Sequence, residues 1–97
     1  MAERERLHNR REAELIDFEH GGCKYTATIS RFSDGRVAEI FLNGSKESAI
    51  AELAQESAIV CSIALQHGCP LVVLLHALGG RDVGPLARAL DLAGGAP

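Results

Sequence analysis

The first half of the chain alternates apolar and polar residues with a period of two, which is the pattern of β-strands. Three such segments follow one another; they begin at Ala13, Cys23 and Val37 and end near His20, Phe32 and Leu42. The links contain Gly21-Gly22 and Asp34-Gly35, which suit tight hairpin turns. Short turns between consecutive strands predict a three-stranded antiparallel meander.

The third strand is predicted to be apolar on both faces. Ala38, Ile40 and Leu42 alternate onto one face, and Val37 and Phe41 alternate onto the other. One face can pack on the helices of the same domain. The other face needs cover, and we expect a second copy of the chain to provide it, so the protein is predicted to form a homodimer or a higher oligomer.

The second half of the chain has the three- and four-residue spacing of helices. A helix is predicted over Ser48–Gln66 and stops at Gly68. A second helix, Leu71–Leu78, is apolar almost all round and is expected to be central, and a short third helix is predicted from Pro85 to about Leu92. The stripe predicted to be buried on the first helix consists of Ile50, Leu53, Ala54, Ala58, Cys61, Ala64 and Leu65. Strands followed by helices predict an α+β domain, with two or three helices packed on one face of the meander.

The length of 97 residues fits one domain, which we place at residues 13–93. Residues 1–12 mix four arginines with three glutamates and are predicted to form a flexible charged arm. A partner-binding arm is the alternative interpretation. Residues 94–97 are predicted to be a frayed tail.

The composition argues against some classes of protein. Hydrophobic residues make up 46 % and charged residues 24 % of the chain, and the formal net charge is -3, so no nucleic-acid polymer is expected as a partner. No run approaches the roughly twenty apolar residues that cross a bilayer, so no membrane partner is expected either. Three cysteines without an apolar signal segment at the start predict free thiols and a cytoplasmic protein.

Patterns for catalysis and metal binding do not occur in the sequence. There is no Cys-x-x-Cys pair for a structural zinc site and no Gly-x-Ser-x-Gly element for a nucleophile. Cys61 falls on the predicted buried stripe and is expected to be a core residue. Glu39 is expected to face solvent at a dimer rim, with a buried salt bridge as the alternative. The sequence thus predicts no metal, no cofactor and no enzymatic activity.

One positive signal for a ligand lies between the third strand and the first helix. The segment consists of Asn43, Gly44, Ser45 and Lys46. A glycine and a cation there adjoin a helix start, where outward amides and the helix dipole favour an anion. Arg81 stands beside another helix start, within residues 80–85. The alternative is an ordinary N-cap by Ser45 or Ser48 beside a solvated lysine.

Two motifs in the same region resemble those of a known family. They are Gly-x-x-x-Glu-Ile-Phe with a lysine soon after, and Ser-x-x-Leu-Gln-x-Gly-x-Pro-Leu. The matching residues are Gly35, Glu39, Ile40, Phe41, Lys46, Ser62, Leu65, Gln66, Gly68, Pro70 and Leu71. They resemble the TSCPD domain, the small α+β module that follows the catalytic barrel of adenosylcobalamin-dependent ribonucleotide reductases, and the resemblance covers most of the chain from Tyr25 to Leu92. The radical cysteine, redox cysteine pair and cobalamin pocket of those enzymes belong to the barrel, so the resemblance implies a binding or accessory protein and not a reductase.

The general architecture is also similar to that of phage sponge proteins, which sequester the cyclic nucleotide signals of Thoeris-type immunity. With the anion signal, these resemblances lead to the hypothesis of a non-catalytic homo-oligomeric module that binds a phosphorylated nucleotide. Lys46 and the amides near Gly44 and Ser45 would hold one phosphate, and Arg81, with Arg88 from a neighbouring subunit, would hold another. The alternative is an accessory or regulatory protein that docks on a cobalamin-dependent ribonucleotide reductase through the exposed sheet face or the arginine-rich arm.

Overall fold

The computed structural model describes residues 3–7, 12–80 and 83–95. Three strands, β1 (Ala13–His20), β2 (Cys23–Arg31) and β3 (Val37–Gly44), precede three helices, α1 (Ala49–Gln66), α2 (Leu71–Ala77) and α3 (Pro85–Leu90). A wide π-type turn, Asp91–Gly95, follows α3. This order confirms the predicted α+β class and the meander followed by helices.

The strands form one antiparallel sheet in the order β1-β2-β3. Gly21 and Gly22 adopt positive φ angles of 57° and 78°, the left-handed conformation that a two-residue hairpin turn requires. The register places Ala27 of β2 between Ile16 of β1 and Leu42 of β3. Ala27 and Leu42 are fully buried, so this row marks the sheet face that the helices cover.

Helix α1 approaches β3 closely because small residues line its inner face. The buried residues of α1 are Ala51, Ala54, Ala58, Cys61, Ser62, Leu65 and Gln66. The predicted buried stripe is therefore wrong in part, since Ile50 and Leu53 are 59 % and 66 % exposed. The helix presents alanines to the strand and turns the bulkier side chains of its flank outward, because close packing against a backbone leaves little room for large residues.

Two polar side chains of α1 satisfy the open edge of β3. The Ser62 hydroxyl accepts a hydrogen bond from the Ile40 amide at 2.9 Å and lies 2.8 Å from the Ile40 carbonyl oxygen. Gln66 Nε2 donates to the Ala38 carbonyl oxygen at 3.1 Å. Both side chains are buried. Since an edge strand otherwise leaves a row of peptide groups unpaired, α1 takes the place of a fourth strand.

Helix α2 is not central, in contrast to the prediction. None of its seven residues is buried. Leu71, Leu74 and Leu75 pack partly against the core, whereas Val72 and Val73 are 60 % and 52 % exposed. A helix of two turns packs on the core with one side only, so the apolar residues on its other side, here Val72 and Val73, stay exposed to solvent.

The described part of the N-terminal arm, residues 3–7, has no helix or strand and contacts the C-terminal end of α1. The Glu5 amide donates to the Gln66 carbonyl oxygen at 2.7 Å, and Arg4 Nε donates to Gln66 Oε1. The Glu5 carboxylate pairs with Arg36 at 3.0 Å. The flexible arm over residues 1–12 and the frayed tail over 94–97 stay predictions, since residues 1–2, 8–11 and 96–97 lie outside the described ranges.

Candidate functional site

A cleft of about 570 Å³ opens where β2 begins and β3 ends. Residues 22–25 line one side of it, and residues 44–48, which link β3 to α1, line the other, together with Ala51 of α1. The amide of Ser45 donates to the carbonyl oxygen of Lys24 at 2.9 Å. This bond holds the link against β2, so both sides of the cleft are fixed to the same end of the sheet.

Both lysines of the chain, Lys24 and Lys46, line this cleft. Their side chains are exposed, and neither forms an ion pair with any residue in the described ranges. Glu47 also lines the cleft, so two lysines and one glutamate give its lining a formal charge of +1 in a chain of net charge -3. The cleft is therefore a local cationic site on an acidic protein.

Helix α1 begins beside the cleft, and Ser48 is its N-cap. Ser48 Oγ accepts a hydrogen bond from the Ala51 amide at 3.0 Å, which confirms the capping alternative for this serine. The Glu52 amide donates to the Ser48 carbonyl oxygen at 3.0 Å. The amides of Ala49 and Ile50 precede that bond, at the positive end of an 18-residue helix. The cap and the positive helix end are thus present together.

Strand β3 extends to Gly44, two residues beyond the predicted end at Leu42. A Cβ atom on Gly44 would lie 2.8 Å from Ala51 Cβ and 3.2 Å from the Lys46 carbonyl oxygen. The glycine therefore allows the first turn of α1 to pack closely against the end of β3. This packing places the start of the helix next to the cleft.

Tyr25 connects the cleft to the core. It is 3 % exposed and stacks on Phe18 with 5.5 Å between the ring centroids. Burial raises the pKa of Tyr25, and the neighbouring Cys23 thiol raises it further, so the phenol is neutral at physiological pH. The cleft thus combines an aromatic residue on its inner side with two exposed ammonium groups.

The structure brings Gly44, Ser45 and Lys46 together in the cleft and places the other predicted site residues elsewhere. Asn43 lies on the outer face of the sheet, where Oδ1 accepts a hydrogen bond from Gln55 Nε2 at 3.0 Å. Arg88 on α3 pairs with the buried Asp91 carboxylate at 3.1 Å and is not among the described residues that line the cleft. Arg81 lies outside the described residues.

Lys24 is a cleft residue that the local patterns do not single out. Tyr25 pairs with Gly44 in the β2–β3 ladder, so Lys24 comes opposite Ser45. Next to the turn Arg31 pairs with Val37, and a register shift between Ser30 and Arg31 then brings Lys24 opposite Ser45. The strand register, including this shift, is what places Lys24 in the cleft.

Within the described ranges, no three His, Cys, Asp or Glu side chains lie close enough together to hold a metal ion. All three cysteines are free thiols, and burial raises the pKa of Cys61 to about 11. Cys61 is 5 % exposed, which confirms it as a core residue. In the same part of the chain, no helix has the length and apolar character needed to span a membrane.

The fold and the cleft define a class of protein: a small α+β module in which a helix covers the edge of a three-stranded meander and starts beside a cationic cleft. The family model described as the TSCPD domain matches residues 4–93. The chain belongs to the TSCPD family, as the motifs in its sequence predicted.

Similar proteins include two enzymes that contain a matching segment. The vitamin B12-dependent ribonucleotide reductase of Agrobacterium fabrum is 40 % identical over 70 residues, and that of Bradyrhizobium diazoefficiens is 36 % identical over 72 residues. These alignments cover 71 % and 73 % of this chain but only 6 % of either reductase. No solved structure matches. The chain is therefore similar to a small part of each reductase.

Proposed function

We propose that this chain is a non-catalytic, homo-oligomeric module that binds a phosphorylated nucleotide in the cleft between Lys24 and Lys46. The observation that carries the proposal is that both lysines of the chain line one cleft at the start of α1. Two ammonium groups beside a positive helix end favour a ligand with several negative charges. The cleft volume of about 570 Å³ falls within the range of small-molecule sites.

Each part of the ligand has a counterpart in the cleft. Lys46 and the amides of Ala49 and Ile50 at the start of α1 bind one phosphate, and Lys24 binds the next one along the chain of phosphates, while the Ser45 amide stays bonded to the Lys24 carbonyl oxygen. The half-buried Cys23 offers apolar surface to the nucleoside, whereas Tyr25 lines the cleft but is only 3 % exposed. A further phosphate contact by Arg81, or by Arg88 of a neighbouring subunit, remains a prediction, and Arg88 would have to leave its ion pair with Asp91 to make it.

Native mass spectrometry of the protein with separate nucleotides tests the proposal. The probes are ATP, dATP, 3′,5′-cyclic AMP, cyclic ADP-ribose and inorganic phosphate, each at several salt concentrations. We expect retention of at least one nucleotide, weakened by added salt because the lysines are exposed. If none of these probes is retained at low salt, nucleotide binding by this chain is wrong. Preference for the cyclic signalling nucleotides would support a sponge function for this family member.

Lys46→Ala tests the residue assignment. We expect the affinity for the retained nucleotide to fall by about 1–3 kcal/mol, or roughly 5- to 150-fold, because a charge-assisted hydrogen bond is lost. Lys24→Ala is expected to weaken binding similarly. Arg36→Ala is the matched control, since this exposed cation pairs with Asp34 and Glu5 away from the cleft. Equal affinity in wild type and Lys46→Ala would reject the cleft as the binding site.

The similarity to reductase segments favours a second candidate function. As an accessory protein, the chain would bind a vitamin B12-dependent ribonucleotide reductase, the enzyme class in which the matching segments occur. Size-exclusion chromatography of the chain mixed with the reductase of its own host tests this candidate. Co-elution supports it, and separate elution at micromolar concentrations of both proteins rejects it.

A further inference from the structure

An apolar stripe runs along the outer flank of α1. It consists of Ile50, Leu53, Ser57, Val60 and Ala64. The spacings are three, four, three and four residues, the repeat by which one helix packs along another. Ile50, Leu53 and Val60 are 59 %, 66 % and 68 % exposed, so the described chain leaves the large side chains of the stripe largely uncovered, while Ser57 and Ala64 are half-buried. It carries no charge, although Glu52 and Glu56 stand elsewhere on the same helix.

A groove accompanies the first half of this stripe. It has a volume of about 280 Å³ and lies between α1 and a second wall formed by Leu78 and residues 83–87. Leu53 and Ser57 line it from α1, and Leu78, Val83 and Pro85 line it from the other side. The second half of the stripe carries Val60, the most exposed of its apolar side chains. A groove and a projecting side chain therefore stand on the same helix, on opposite sides of Ser57.

We propose that a second copy of this chain covers the stripe, with the two α1 helices antiparallel across a two-fold axis at Ser57. The exposed Val60 and the groove at Leu53 lie on opposite sides of Ser57, so a two-fold axis there brings the Val60 of each copy to the groove of the other, and the surface is complementary to itself as a two-fold interface requires. Val60 of each copy then enters the groove beside Leu53 of the other, and Ile50 packs on the small Ala64. The small Ser57 side chains meet at the axis and let the helices approach. This inference supplies the surface for the self-association in the proposed function and is independent of the ligand.

Sedimentation equilibrium of wild type, Leu53→Glu, Val60→Glu and Ile59→Glu tests the surface. We expect wild type at twice the chain mass, and a dimer dissociation constant at least about 100-fold higher in Leu53→Glu and Val60→Glu, because each places an unpaired charge in an apolar contact. Ile59→Glu is the matched control, since Ile59 is an exposed apolar residue of α1 outside the stripe. It should remain dimeric. Circular dichroism of each variant verifies that the helices are retained.

A cysteine at the axis tests the antiparallel arrangement without disrupting the contact. In a background of Cys23→Ser and Cys69→Ser, Ser57→Cys should form an intermolecular disulfide on mild oxidation, because a residue on the two-fold axis faces its own copy. Ile59→Cys in that background should not.

These experiments distinguish two claims: that the chain forms a dimer, and that the α1 stripe is the dimer interface. A wild-type monomer at hundreds of micromolar overturns both. A wild-type dimer that persists in Leu53→Glu and Val60→Glu, or that loses its stability in Ile59→Glu instead, overturns the surface alone. A dimer that depends on the stripe but does not crosslink through Ser57→Cys overturns the two-fold axis at Ser57.

Discussion

Ser62 is the residue that joins α1 to the edge strand β3 by hydrogen bonds. Its hydroxyl is buried, accepts from the Ile40 amide on the edge of β3, and lies 2.8 Å from the Ile40 carbonyl oxygen and 2.9 Å from that of Ala58, which share its one proton. Neither peptide group has a neighbouring strand on that side, because β3 ends the sheet. Ser62 also belongs to the family motif, so the structure gives that position a physical reason.

We predict that Ser62→Ala lowers the free energy of unfolding by about 1–3 kcal/mol, since it leaves the buried amide and carbonyl of Ile40 without a partner. Urea unfolding measures the difference. Ser33→Ala is the control, because Ser33 is exposed in the turn between β2 and β3; its effect should stay within about 0.5 kcal/mol. Equal effects of the two substitutions would contradict the role assigned to Ser62.

The buried thiol of Cys61 makes stability depend on alkaline pH. Its pKa is about 11 in the folded protein against an ordinary 9.0, because burial disfavours the thiolate. Below pH 9 the thiol is protonated in both states and its full contribution is present. Between pH 9 and 11 the unfolded chain releases the proton first, so the contribution declines and is lost above the folded-state pKa.

We therefore predict that the free energy of unfolding falls by about 2–3 kcal/mol through Cys61 as the pH rises from 9 to 11. The raised pKa of Tyr25 acts in the same direction, so the comparison of wild type with Cys61→Ala isolates the thiol. Urea unfolding at pH 8.5 and at pH 11 gives, for each protein, the change in the free energy of unfolding between the two pH values. An equal change in wild type and Cys61→Ala would show that Cys61 does not cause the pH dependence.

At the scale of elements, the junction of β3 and α1 depends on one missing side chain. Gly44 allows Ala51 to approach the strand end, and the cleft takes its shape from that approach. The backbone of Gly44 has no positive φ angle, so the requirement for glycine here is one of space and not of conformation.

We predict that Gly44→Ala destabilises the protein by about 1–3 kcal/mol, the usual effect of overpacking, because a 2.8 Å contact between two Cβ atoms forces α1 to move. Gly84→Ala is the matched control, since Gly84 has no positive φ angle and a Cβ there meets nothing within 4 Å. Its effect should stay below about 1 kcal/mol. Thermal unfolding compares them, and a Gly44→Ala protein as stable as wild type would show that α1 does not need this approach.

The elements themselves could be predicted from the sequence because their signals are local. Gly21-Gly22 and Asp34-Gly35 mark the turns, and Ser48 and Gly68 mark the ends of α1. The rotation of α1 could not be predicted in the same way. Ile50 and Ala51 both fit a helical period, and the choice between them depends on how closely β3 approaches, which is a tertiary property.

The candidate site shows the same division between local and long-range information. Gly44, Ser45 and Lys46 are consecutive, so the sequence places them together. Lys24 joins them only through the strand register, and Asn43 departs from them because alternate residues of a strand point to opposite faces.

At the scale of the whole molecule, the large exposed apolar side chains on α1 and α2 lead us to expect that the proposed dimer is more stable than the separate chains. The same binding that stabilises a dimer makes its unfolding depend on protein concentration, since unfolding separates the copies.

We predict that the melting temperature rises with protein concentration, by about 2–5 °C for each tenfold increase. Differential scanning calorimetry between 10 μM and 1 mM measures the rise. Leu53→Glu should melt at one temperature throughout this range. A wild-type melting temperature that is independent of concentration would indicate a monomer.

The cover that α1 provides for β3 has a consequence for misfolding. The two edges of the sheet differ, because β1 carries three acidic residues, Glu14, Asp17 and Glu19, whereas β3 carries one, Glu39, in a mostly apolar strand. Charges on an edge strand discourage the addition of foreign strands, and an apolar edge invites it. A partly unfolded form that has lost only α1 would therefore be a template for fibrillar aggregation along β3, while β1 would stay protected by its own acidic residues.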